Sequence, residues 1–265
     1  MESKGDRMPL PSPRLDRLAS SPLVSVAGEV RFEFCPQVAE SKFIKEFRSA
    51  FRDSSSYTKL DPSSSLNLSV TAGGVVDRSE IRGWVLRDEV GHWSLSITPT
   101  TAALETTAYT VWDDFSARLG SLLDAVDKTL APATCQRVGL RYIDKLTAAG
   151  PLPAGEAWSG KIRGELLGLL DHPAIGPSVV TSEQRVILNL GEGESCILRH
   201  GSVPEVPNSS YLLDFDVFRE GGTAFDTGAV VATFDSLHLK GLTLFQECLT
   251  TEYWNRLLSE EAGSK

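Results

Sequence analysis

The sequence predicts an α+β protein of two similar halves, in which helices cover one face of an antiparallel sheet. Each half runs strand, helix, three or four strands, and a longer closing helix. Three observations carry this expectation: short runs alternate apolar and polar residues with period two, apolar stripes recur at spacings of three and four, and the order of elements repeats after residue 136.

The elements follow in order. Residues 1–22 hold Pro9, Pro11, Pro13 and Pro22 among Arg7, Arg14, Arg17 and several serines, with no apolar core, and read as a flexible tail rather than a signal peptide. In Leu23–Phe34, Val26, Gly28, Val30, Phe32 and Phe34 fall on one side and Arg31 and Glu33 on the other, a half-buried strand. Phe43, Ile44, Phe47, Ala50 and Phe51 mark an amphipathic helix. Asp53–Ser65, with six serines and Asp61-Pro62, reads as a connection. Leu66–Val70, Ile81–Arg87, His92–Thr98 and Ala103–Thr110 are expected as a meander of strands, turned at Gly73-Gly74 and at Asp88–Gly91. Trp112, Phe115, Leu119, Leu122, Leu123 and Val126 restore the helical period, starting at Asp113-Asp114 and stopped by Pro132.

The second half opens with a strand over Arg137–Leu146. Ala148–Gly160 reads as a connection, on Gly150-Pro151, Pro153 and Gly155. A short helix is expected at Ile162–Leu170, then strands at Glu183–Leu190, Ser195–Ser202 and Tyr211–Phe218. One long helical stripe follows, from Val230 and Phe234 to Tyr253 and Leu257, within Thr227–Leu258, where Gly241 permits a kink or a close approach. The division is therefore a tail to residue 22, a first half over 23–135 and a second over 136–260. Such a duplication resembles the TATA-binding-protein-like and ferredoxin-like arrangements, and it leaves the second sheet face open for binding.

Composition narrows the classes. The chain has 265 residues, 41% hydrophobic and 23% charged, enough for a substantial core. With 35 acidic against 26 basic side chains, its net charge of −9 argues against a DNA-binding surface. No stretch reaches the roughly 18 to 20 apolar residues of a membrane span. Cysteines at 35, 135, 196 and 248 are too far apart for a metal knuckle or a small disulfide scaffold, so a reducing, cytoplasmic setting is expected.

Three stretches carry a family resemblance: Arg137-Val-Gly-Leu-Arg-Tyr-Ile-Asp-Lys145, Leu212-Leu-Asp-Phe-Asp-Val-Phe218, and Leu237-His-Leu-Lys-Gly-Leu-Thr-Leu-Phe245 followed by Thr250. The chain resembles a sporadically distributed, uncharacterised family of prokaryotic proteins of about this length. The resemblance runs from Val30-Arg-Phe-Glu-Phe34 to the last helix, leaving residues 75–100 and 175–205 unmatched. It implies membership without an assigned reaction, and its patchy distribution implies mobile or defence-linked genes.

Candidate chemistry is sparse. Asp214 and Asp216 share one side of a strand, about 6.6 to 7 Å apart, and Asp144 lies near the end of another. Carboxylates so placed suit divalent-ion binding or acid–base work. The structural alternative is a charge ladder with Arg141, Arg185, Arg199 or Arg219. Were that ladder buried, Arg141→Ala would cost about 3 to 5 kcal/mol.

His238, on the apolar stripe, reads as a satisfied core histidine. His92, His172 and His200 are scattered, and no HExxH or CxxC offers a metal template. Gly191-Glu-Gly-Glu-Ser-Cys196 reads as a hairpin turn rather than a phosphate loop, because it joins two strands. Trp84 and Trp93 suit either an aromatic platform or the core. No GxSxG or GxxxxGK[ST] is present.

These observations favour a non-catalytic binding or regulatory module for a protein partner, without a cofactor. The alternative is an enzyme or sensor for a small phosphorylated or nucleotide-like molecule, using Arg141, Asp144, Asp214 and Asp216.

Overall fold

The computed structural model describes residues 10–70, 76–148, 154–205 and 207–259. The fold is α+β. Its strands are β1 (Leu23–Phe32), β2 (Lys59–Val70), β3 (Val76–Arg87), β4 (Trp93–Ile97), β5 (Thr101–Thr106), β6 (Thr134–Ala148), β7 (Gln184–Gly191), β8 (Glu194–Pro204) and β9 (Ser209–Ala224). They form one nine-stranded sheet in the order β2-β3-β4-β5-β1-β6-β9-β8-β7. The helices are α1 (Phe43–Ala50), α2 (Trp112–Leu130), α3 (Ala154–Trp158), α4 (Gly164–Leu167), α5 (Thr227–Cys248) and α6 (Thr251–Leu258). Two compact units result: Ser25–Leu140 with Phe218–Asp235, and Arg141–Val217 with the chain up to Val24 and from Ser236 on. All four cysteines are buried and free, Cys35 and Cys135 in the first unit, Cys196 and Cys248 in the second.

In the first unit, alternation turns Val26, Gly28, Val30 and Phe32 of β1 inward. Gly28 allows a close approach: a Cβ there would stand 2.9 Å from a Leu119 methyl of α2, which would have to shift. β1 ends at Phe32, leaving Phe34 exposed against the period-two expectation. The stripe of α1 buries Phe43, Ile44 and Phe47, continued by Phe51 and Tyr57 in an aromatic chain with centroids 5.4–6.0 Å apart. β3, β4 and β5 pair antiparallel, aligning Trp84 with Ile97 and Leu86 with Leu95. Trp84, Trp93, Leu95 and Ile97 therefore share one face. Trp93 stacks 6.0 Å from Phe115 of α2, with the Arg118 guanidinium 4.2 Å from its ring centre. Trp84 Nε1–H donates to the Val38 carbonyl (2.8 Å). Both tryptophans are structural, which removes the aromatic platform.

The serine-rich connection is also corrected. After a short 3-10 turn at Ser54–Ser56, β2 begins at Lys59 and pairs antiparallel with β3 from Lys59–Arg87 to Val70–Val76. Pro62 is tolerated because an edge strand needs no donor on its free side. The Gly73-Gly74 turn lies outside the described residues, as do Pro9, Gly150-Pro151 and Pro153.

In the second unit, β6, β8 and β9 turn one face toward α5. A Cβ at Gly241 of α5 would lie 3.1 Å from the Tyr142 ring and 3.7 Å from Val217. Of the two roles foreseen for this glycine, close approach is the one seen. Tyr142, Leu146, Leu198, Tyr211, Leu213, Phe215 and Val217 fill the core with Leu237, Phe245 and Cys248. The single C-terminal helix expected over Thr227–Leu258 instead breaks after Cys248. Backbone N–H groups of Arg163 and Thr250 bond the carbonyls of Cys248 and Lys161, and Thr250 caps α6 by accepting from Tyr253 N–H (3.1 Å). Residues 10–22 form no regular element, yet they do not stand free as a flexible tail would. Thr243 Oγ1 donates to the Pro11 carbonyl, Arg14 and Gln246 exchange two bonds of 2.8 and 2.9 Å, and Ala19 N–H bonds the Leu257 carbonyl.

Candidate binding face and edge

Strand alternation decides where the expected site residues go. In β6, Tyr142, Asp144 and Leu146 are buried on the helix side, so Arg141 projects from the opposite, open face. In β9, Leu213, Phe215 and Val217 take the helix side, placing Asp214 and Asp216 on the open face. Arg199 of β8 joins them there.

Asp214 is held by both arginines. Its carboxylate accepts two bonds from Arg141 (Nε 2.7 Å, Nη2 2.8 Å) and one from Arg199 Nη1 (3.2 Å). Its side chain is 12% exposed, against 47% for Arg141 and 35% for Arg199. Three charge-assisted bonds to two guanidinium groups are among the stronger hydrogen bonds a carboxylate can make. Of the charge ladder named as the alternative to acid–base chemistry, the Arg141–Asp214–Arg199 part is present.

Asp144 does not join this group. It is buried on the other face, and burial pushes its carboxyl up to about 8. The Cys248 thiol is raised to about 12, first by burial and then by Asp144. The expected four-residue cluster of Arg141, Asp144, Asp214 and Asp216 thus divides between two faces of the sheet, because residues 141 and 144 differ in parity.

The histidines are engaged structurally. His238 Nδ1 lies 2.7 Å from Tyr142 Oη, and His200 Nδ1 2.8 Å from Tyr211 Oη, with burial lowering the His200 imidazole. His172 accepts two backbone N–H bonds in a turn, and His92 lies 3.3 Å from Thr107 Oγ1. Among the described residues no group of three His, Cys, Asp or Glu side chains could hold a metal ion. No helix among them is long and apolar enough to cross a membrane.

A feature missed from the sequence is the free edge at β7. This strand joins β8 through a hairpin in which Gly191, Glu192 and Gly193 all have positive φ (85°, 54° and 78°). That turn is the one expected from the glycine spacing. β7 ends the sheet order, so the hydrogen-bonding groups on its outer side have no strand partner among the described residues. Neither face is fully covered at mid-strand by the described residues: Val186, paired with buried Leu198, is 40% exposed, and Ile187, paired with Ile197 on the open side, is 61% exposed. The run Val186-Ile-Leu188 signals a strand but does not tell a central one from an edge, since that depends on what pairs with it. Arg185 lies directly across from Arg199 and has no carboxylate within 4.0 Å among the described residues.

No protein-family model matches the chain, and no curated protein matches it significantly.

Proposed function

We propose that the chain is a non-catalytic recognition module that receives a protein partner at the β7 edge and the adjoining open face. One observation carries this reading: an edge strand that exposes apolar side chains on both faces, Val186 (partly) on one and Ile187 on the other. Such an edge is a template for a further strand. The far edge of the sheet contrasts with it, because β2 carries Lys59, Asp61 and Pro62, residues that discourage strand addition. The commitment of Asp214 to two arginines also speaks against acid–base catalysis on this face.

A duplicated architecture belongs to the same proposal, with halves over 23–135 and 136–260. The strand order supports it: β1 lies beside the last strand of its half, β5, and β6 beside the last of its own, β9. Four free buried thiols support a reducing compartment. Membership of the sporadically distributed family would set the partner among mobile or defence genes. A second reading, a small anionic ligand, is favoured by an excess of positive charge on the open face, where Arg141 and Arg199 share the Asp214 carboxylate and Arg185 lies across from Arg199.

Native mass spectrometry on protein purified gently from its own host separates these. We expect a second polypeptide at fixed ratio, lost in an Ile187→Lys variant that keeps its Tm. A partner retained by that variant, or a bare monomer, overturns the reading. A small-molecule adduct lost in Arg199→Ala would establish the second one.

A further inference from the structure

Resting on the recognition reading, we infer that the segment received at β7 is an extended strand of another protein that sets an acidic residue across from Arg185 and apolar residues across from Val186, Ile187 and Leu188. The charge row on the open face carries the argument. Starting inside, Arg141 is paired with Asp214, and Asp214 with Arg199. Arg199 then stands opposite Arg185 in the β7–β8 register. Like charges directly opposite one another destabilise a strand pair. Asp214 relieves this at Arg199, but among the described residues no carboxylate does so at Arg185, which ends the row at the sheet margin. Glu183, two residues before Arg185, forms no ion pair with it among the described residues.

The row thus holds three positive groups and one negative group, and the position that would complete it lies on the next strand outward. Two residues along the same face, Ile187 presents an apolar surface to that strand, while Val186 and the half-buried Leu188 do so on the other face. An added strand therefore reads, across from residues 189 to 185, polar, apolar, apolar, apolar, acidic. Main-chain bonds to the free edge supply affinity, and the carboxylate sets register.

A second copy of the chain fits less well. Antiparallel self-pairing with faces preserved must centre on a residue. Centred on Ile187, it sets Asn189 across from Arg185, and β7 contains no acidic residue to put there. The net charge of −9 further opposes self-association.

The test is fluorescence anisotropy of the full chain with a fluorescein-labelled peptide, Ser-Thr-Val-Val-Val-Glu-Ser, whose antiparallel addition sets its Glu across from Arg185. Comparison peptides carry Lys for Glu, or N-methyl groups that remove alternate backbone donors. We expect the Glu peptide to bind about tenfold more tightly than the Lys peptide, Arg185→Glu to reverse that preference, and N-methylation to abolish binding. Equal binding of the Glu and Lys peptides, lost on N-methylation, overturns the acidic specificity and leaves strand recognition standing. Undiminished binding of the N-methylated peptide overturns strand addition itself. Absence of binding also overturns the inference. If the chain then sediments as a dimer that Ile187→Lys dissociates, the occupant is a second copy instead.

Discussion

Asp144 is the residue whose chemistry departs furthest from its type. Its carboxyl, ordinarily near 3.9 when unfolded, is pushed up to about 8 by burial. The folded state therefore holds one proton more than the unfolded state across that interval, and stability falls as pH rises through it. The loss is on the order of 1.4 kcal/mol per pH unit, levelling off above the folded value. Urea unfolding from pH 5 to 8 should show this slope, and Asp144→Asn should flatten it and be the more stable protein at pH 8. An unchanged slope in the variant would assign the effect elsewhere. At Asp214 the structure lowers the cost expected from sequence, because Arg141 is half exposed and Arg199 remains when it is removed. Arg141→Ala should cost about 1 kcal/mol, and Arg141→Ala with Arg199→Ala more than the sum of the two singles, since only the double variant leaves the carboxylate without a guanidinium. Additivity in that cycle would contradict a shared carboxylate. The pairing itself was legible from residue types. The exclusion of Asp144 was legible too, in the parity of residues 141 and 144, once period two is applied to chemistry as strictly as to packing.

Elements were legible where one face is buried, because burial writes a period into the sequence. β1, α1, α2 and β6 carried that period and form where it predicts, β1 ending two residues early. β2 did not, since Lys59–Ser65 is polar with a proline and reads as a loop until β3 is seen beside it. The division of α5 from α6 was hidden for another reason: the apolar stripe continues across it, while the signal lies in one capping residue and in backbone partners 85 or more residues away in sequence. Thr250 both accepts from Tyr253 N–H and donates to the Gly160 carbonyl (2.6 Å). Thr250→Ala removes both bonds and should cost about 1 to 2 kcal/mol, read as a lower urea midpoint. A midpoint unchanged within error would mean that α6 is held by Trp254 and Leu257 packing alone.

At the scale of the molecule, α+β class and alternation of strands with helices were readable from pattern, but the identity of the edge strands was not. A strand's sequence records what covers its faces far better than what lies beside it in the sheet. The four thiols illustrate another property of the whole. Burial raises all of them, Cys196 and Cys248 to about 12, so almost none is present as reactive thiolate at neutral pH. Alkylation of the native protein therefore has to wait for the chain to open, which makes each cysteine a clock. Two clocks sit in each compact unit. If the units open independently, iodoacetamide should label Cys35 and Cys135 together at one rate and Cys196 and Cys248 together at another, and cooperative unfolding would collapse all four onto a single rate. The distribution of its cysteines thus lets the protein's own chemistry time the opening of its parts without any introduced probe.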